Sequence, residues 1–422
     1  MSLWSSRPSS LRHQSELRRG ELLAMISAIM ALMAMAIDMM LPAFDDIRDT
    51  YELSGGSNQA GQTITIFFLG LAIGQLMFGP LADRFGRKAT LYGAMSVYIA
   101  AAVGSVFAPT FAALLATRFL WGVGAAGSRV VATAIVRDSF AGPAMARAMS
   151  QIMAVFVLVP VVAPALGAGL IAFLPWRSIF WFCVVWAIVI GLWSLRLRET
   201  LNPADVRPLA LGTMVDGYRT VARTRVTMGY SLAGVFLQGV FTAYLATSES
   251  MITDIFGRDE VEFPFVFGAV AVLFGVGALA NGRAVQVWGI ERTITRVMTV
   301  QIALAAMLLL TALVGDGTPS FWVFMPILGV LLATFMFLMP NLNAAAMEPV
   351  GRLAGTASAF TGAIRMAFGA VLGTVISSQV DTSVTPFAVG TALMVTGVLV
   401  TVTVVRMRVA RAPTAAVEPV AV

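Results

Sequence analysis

Uncharged stretches, each about as long as a membrane-crossing helix, alternate with short polar segments along nearly the whole chain. The apolar runs fall at 22–41, 61–81, 89–108, 111–135, 147–172, 178–197, 227–252, 262–282, 293–315, 320–340, 354–378 and 385–407. A helix rising about 1.5 Å per residue needs about 20 apolar residues to cross hydrocarbon about 30 Å thick. The pattern therefore predicts an all-α integral membrane protein with twelve transmembrane helices, and an even count puts both ends on one side.

The basic residues supply the orientation. Twenty-two of the 28 Lys and Arg fall in one alternating set of segments, which includes both ends and Arg84, Arg87 and Lys88. The other set holds only Arg48, Arg177 and Arg258, while Arg118, Arg129 and Arg365 lie inside spans. By the positive-inside rule both termini face the cytoplasm, which places a multi-pass protein in the cell inner membrane. The net charge of +6 is then a topology signal, and nucleic acid is not an expected partner. No small-residue cleavage site follows the first apolar run, which reads as a retained span and not as a signal peptide.

The longest interior hydrophilic stretch, 198–226, holds Asn202-Pro203, Arg207-Pro208 and five arginines. It reads as a cytoplasmic surface linker between six-span halves at 22–197 and 227–408, with tails at 1–21 and 409–422. The halves echo each other. Gly79, Asp83 and Gly86 follow the second span, and Gly282, Gln286 and Gly289 follow the eighth at the same spacing. Parallel repeats of this kind predict two six-helix bundles related by a pseudo-twofold axis, with substrate at their interface near the midplane.

Composition narrows the chemistry. Hydrophobic residues make up 58% of the chain and charged residues 12%, with mean hydropathy +0.85. Soluble domains carry about 25% charged residues, so no separate soluble domain fits. Cys183 is the lone cysteine, inside an apolar run, and His13 is the lone histidine, in the N-terminal tail. Disulfide, metal and histidine-base chemistry are left without residues. There is no Gly-x-x-x-x-Gly-Lys-Ser/Thr loop for a nucleotide, so no cofactor and no enzyme activity are expected.

Residues 79–88 read Gly-Pro-Leu-Ala-Asp-Arg-Phe-Gly-Arg-Lys, a charge-dense turn between two spans. Burying those charges unpaired would cost several kcal/mol each, so they lie at the membrane surface or latch something. This decapeptide resembles the loop motif of the major facilitator superfamily. Asp38-Met39-Met40-Leu41-Pro42 resembles the first-span acidic motif of its twelve-span drug/proton antiporters, the bicyclomycin and chloramphenicol resistance type. Arg118 to Ala126 is similar to the arginine motif of span 4, and Arg137-Asp138 ends that span. In span 5, Ala163-Pro164-Ala165-Leu166-Gly167-Ala168 keeps the proline and one glycine of the exporter pattern. Pro160, Pro164 and Gly167 would permit bending and close helix contact there. The resemblance implies that Asp83 meets the cytoplasmic start of span 11 and that Arg84 and Arg87 engage an acid such as Asp138. Gly79, Asp83, Arg84, Gly86, Arg87, Lys88 and Asp138 would then form a gate latch, closed in the outward-open state and broken in the inward-open one; a solvated turn that fixes topology is the alternative.

Intramembrane charges are functional candidates by default. Asp38 and Arg118 sit at similar depth in the outer half, so they form either a permanent ion pair or a conditional one that couples protons and senses substrate. Arg129 lies three turns from Arg118 on nearly the same face, and lines the cavity or snorkels to the surface. Arg365 shares a stripe with Ser358, Thr361, Gly362 and Gly369 in span 11. Glu249 is a second acidic site or an interfacial residue. Trp121, Phe241, Tyr244 and Phe360 are candidate cavity aromatics. The expected function is proton-coupled efflux of lipophilic small molecules, amphenicol-like or broader, by a monomer using alternating access. A proton symporter or uniporter for a small nutrient is the other reading on the same fold.

Overall fold

The computed structural model describes residues 17–53, 58–206, 211–259 and 261–411; His13, Arg207, Pro208 and the tail beyond Arg411 lie outside them. Among the described residues the structure is helical throughout. In chain order the helices are α1 (Arg19–Asp38), α2 (Phe44–Thr50), α3 (Gln62–Phe85), α4 (Arg87–Val106), α5 (Phe111–Ser139), α6 (Gly142–Ile171) and α7 (Ser178–Trp193). The second half holds α8 (Leu211–Arg223), α9 (Arg225–Ser250), α10 (Phe263–Val314), α11 (Phe321–Ala333), α12 (Phe335–Met347), α13 (Ala354–Ser377) and α14 (Thr385–Arg411).

Two spans expected as separate helices run together. Helix α10 is 52 residues long and carries one non-helical residue, Gly289, at φ 74° and ψ 168°. At about 1.5 Å per residue, an unbroken helix of that length would be more than twice the thickness of a bilayer. Gly289 divides it into the eighth and ninth spans. Gly86, between α3 and α4, has φ 92° and ψ 160°. Residues with a Cβ are essentially excluded from this region of backbone space. The glycines that echo in sequence thus make the same turn in both halves. The tenth span is assembled from α11 and α12, which meet at Thr334.

Packing separates the chain into two bundles. In the first, α5 lies against α3 and α4, and α1 against α5, α6 and α7; in the second, α9 lies against α12, α13 and α14. Close approach has a local cause. A Cβ on Gly122 of α5 would stand 2.1 Å from the Phe67 carbonyl oxygen of α3, so only glycine allows these helices to touch. The bundles meet chiefly where α3 packs on α13 and α6 on α10. Helix α6 runs unbroken through Pro160 and Pro164. The stretch expected to be a surface linker carries α8, whose Val221 is buried with Val350 and Ala357 against the start of α13.

Candidate functional site

The decapeptide end of the molecule, called the loop face here, holds a cavity of about 430 Å³. Gln75, Asp83 and Arg87 line it from α3 and α4, Arg129 and Asp138 from α5, Tyr218 from α8 and Ser358 from α13. At its mouth Arg87 joins two acids. Its Nη1 donates to Asp83 Oδ1 at 2.6 Å and its Nε to Asp138 Oδ2 at 2.8 Å. Arg87, rather than Arg84, therefore holds Asp138. Asp83 pairs with Arg87 and lines the cavity together with Gly355 and Thr356 at the start of α13. Lys88 Nζ donates to the Leu195 carbonyl at 3.0 Å. Glu199, which sequence reasoning passed over, accepts from the backbone N–H groups of Arg87 at 2.8 Å and Lys88 at 3.0 Å. A carboxylate here satisfies orphan donors at the α4 N-terminus and complements the helix dipole. Gly79 also lines this cavity.

Deeper in, Gln75 Nε2 donates to the Ser358 carbonyl of α13 at 3.4 Å. Tyr218 stacks on Phe360 with ring centroids 5.4 Å apart, and its hydroxyl donates to the Leu76 carbonyl at 3.3 Å. Burial pushes the Tyr218 phenol above its ordinary pKa, which keeps this donor protonated. Helix α8 thus spans from the second bundle to the first. Phe360 belongs to that contact. Arg129 lines the cavity wall. Arg365 reaches from α13 past Gly234 of α9, beside Tyr230, Ser231, Asn343 and Thr361.

The opposite face is held together by contacts across the halves. Arg48 lies 3.5 Å from Asp254 and 3.8 Å from Glu249, and also pairs with its neighbour Asp45. Thr65 and Thr374 share a hydrogen bond at 2.6 Å between α3 and α13. Glu249, read as acidic site or interfacial residue, is buried at this closure. Arg48 was visible in the sequence only as one of three basic residues on the sparse side of the membrane.

Asp38 and Arg118 form no ion pair in this structure. Asp38 is the last residue of α1, buried, and makes no ion pair or hydrogen bond with a described residue. Arg118 Nη1 instead donates to the Ala36 carbonyl at 2.9 Å. Its guanidinium carbon stands 4.5 Å from the Phe67 ring and 4.9 Å from the Trp121 ring. Trp121, expected in the cavity, is fully buried inside the first bundle, edge-on to Tyr98 and Phe180. Phe241 packs edge-on against Phe274 within the second bundle. Tyr244 of α9 stacks on Phe267, its hydroxyl is buried without a hydrogen-bond partner among the described residues, and it lies within electrostatic reach of Asp38. Gly167 of α6 permits backbone contact just beyond Asp38, since a Cβ there would stand 2.1 Å from the Met39 carbonyl oxygen.

Two bundles, an interfacial cavity at one face and a closed opposite face define a multi-span membrane transporter of small molecules. Residues 23–374 match the Major Facilitator Superfamily profile, and the chain belongs to that family. It is 30% identical to the uncharacterized MFS-type transporter YdgK of Bacillus subtilis, over 89% of this chain and 93% of that protein. It is 29% identical to a bicyclomycin resistance protein homolog of Haemophilus influenzae, over 82% and 86% of the two chains. Among solved structures, the D-xylose-proton symporter aligns with TM-score 0.72 at 12% identity, covering 91% of this chain and 96% of that one, a likeness of fold alone.

Proposed function

We propose that this chain exports lipophilic small molecules in exchange for protons, by alternating access, with Asp38 as the proton-carrying and substrate-sensing acid. The observation that carries this reading is a buried carboxylate at the end of α1 with no cation against it among the described residues. Such a group changes its proton occupancy when its surroundings change. Arg118, tied to the Ala36 carbonyl of the same helix, sets the local field without quenching Asp38. The decapeptide residues and Asp138 act as the loop-face gate, and Arg48 with Glu249 and Asp254 as its counterpart. Relatedness to a bicyclomycin resistance protein homolog supports a drug-like cargo. The basic bias of the loop face supports its lying in the cytoplasm with both termini. The protein works as a monomer, each chain carrying its own pathway, with lipid around it.

The test is flux of labelled bicyclomycin and chloramphenicol in proteoliposomes under an imposed pH gradient. Accumulation against the direction of proton flow supports antiport. Accumulation with the proton flow would identify a symporter, and flux that ignores the gradient a uniporter.

A further inference from the structure

Pro80 lies inside α3. A proline has no N–H, so the carbonyl four residues earlier, that of Leu76, loses its helical donor. Within a membrane protein such a freed carbonyl is satisfied by a neighbouring group. Here the donor comes from the other half of the molecule: the Tyr218 hydroxyl of α8 reaches the Leu76 carbonyl at 3.3 Å. The second half has no such acceptor at the repeat-related place, because Arg283 follows Gly282 where Pro80 follows Gly79.

Helix α8 is built into the second bundle. A single residue, Thr224, joins it to α9, and both backbone groups of that residue are bonded, its N–H to the Val221 carbonyl and its carbonyl to the Met228 N–H, at 3.0 Å each. Val221 is buried with Val350 and Ala357, and a Cβ on Gly217 would stand 3.2 Å from the Thr356 side chain of α13. By contrast, residues 194–210 separate α8 from α7 of the first bundle. Tyr218 therefore bridges two bodies. Its ring stacks on Phe360 of the second-bundle wall, its hydroxyl ends on α3 of the first-bundle wall, and it lines the loop-face cavity between them. Closing that cavity moves the walls relative to each other, and a bond already at 3.3 Å has little length to spare.

We infer that Tyr218 is a positioning residue of the transport cycle, a strut whose hydroxyl fills the carbonyl freed by Pro80 and so favours the state in which the loop face is open. This rests on the alternating-access part of the proposed function and adds a device that makes the two halves unequal. A contact made in one state only shifts the equilibrium by its own differential free energy. The strut bond is made with the loop face open and withdrawn when it closes.

The experiment places spin labels on the purified full chain at Ser139→Cys, the end of α5, and Glu348→Cys, just after α12, both exposed, in a Cys183→Ser background. The distance distribution between the labels, with no substrate and no gradient, gives the ratio of loop-face-open to loop-face-closed molecules. Tyr218→Phe, which keeps the ring on Phe360, is expected to lower that ratio about two- to tenfold, the worth of one net hydrogen bond. Pro80→Ala restores an N–H for Leu76 within α3, so adding Tyr218→Phe to that variant should change the ratio no further. A tyrosine that merely packs would act equally in both backgrounds. An unchanged or raised ratio in Tyr218→Phe alone, or the same drop in the Pro80→Ala background, would overturn the inference. Flux that ignores the gradient would sink the antiport reading and leave the strut standing. Gradient-driven antiport without this dependence of Tyr218 on Pro80 would do the reverse.

Discussion

The Arg118 guanidinium donates to the Ala36 carbonyl at 2.9 Å, two residues before Asp38, and leaves that carboxylate without a cation among the described residues. Matched depth suggested mutual neutralisation, but the carbonyl and two aromatic faces hold Arg118 in place. A charge swap checks this. The double variant Asp38→Arg, Arg118→Asp is expected not to recover the melting temperature or transport lost in Arg118→Asp alone. Recovery in the swapped protein would mean that the two groups pair in the resting state.

Tyr244 places an unpartnered hydroxyl near Asp38 from the second bundle. A hydroxyl that reaches the carboxylate in one state and not in another would bias when the proton leaves. Tyr244→Phe should keep the fold, since the ring still stacks on Phe267. It should shift the pH at half-maximal transport upward, because losing a donor to the carboxylate favours its protonated form. An unchanged pH profile would remove Tyr244 from the coupling.

On the opposite face, Arg48 answers to Asp254 and to buried Glu249. Arg48→Ala should weaken this closure by about 1–2 kcal/mol, roughly a five- to thirtyfold change in the ratio of the two states. In a Cys183→Ser background, a single cysteine in place of Thr133, which lines the loop-face cavity, should react more slowly with a polar thiol reagent once Arg48 is removed. The same labelling rate in both proteins would show that Arg48 is not a latch.

Gly86 and Gly289 share a turn but not a neighbourhood. A Cβ on Gly86 would meet Glu199 Oε2 at 2.5 Å, whereas one on Gly289 meets nothing within 4 Å. Gly289→Ala should cost about 1–3 kcal/mol of backbone strain alone. Gly86→Ala should lose more, because it also displaces the carboxylate that caps α4. Thermal melting of the two variants in detergent gives the order directly.

Span count, family resemblance and the repeat at Gly86 and Gly289 were legible because hydropathy, positive charge and glycine spacing are local signals. The assembly of the site was not. Arg87 and Arg84 look alike in sequence, and only the turn at Gly86 decides which one reaches Asp138. Trp121 follows Arg118 by three residues, so it shares a helix face, yet that face packs against α4 and α7. Helix α8 was hidden inside a stretch whose prolines and arginines resemble a linker. Arg48 and Glu199 act through partners about 200 and 110 residues away in sequence, a separation that no local pattern reports.

On the proposed mechanism, Asp38 releases a proton when substrate binds. Purified protein in weak buffer, titrated with a transported compound while a pH-sensitive dye is followed, measures this directly. Acidification is expected on substrate addition to wild type and none with Asp38→Asn, which should still bind. Equal proton release from the two proteins, or none from a wild type that binds and transports, would contradict it.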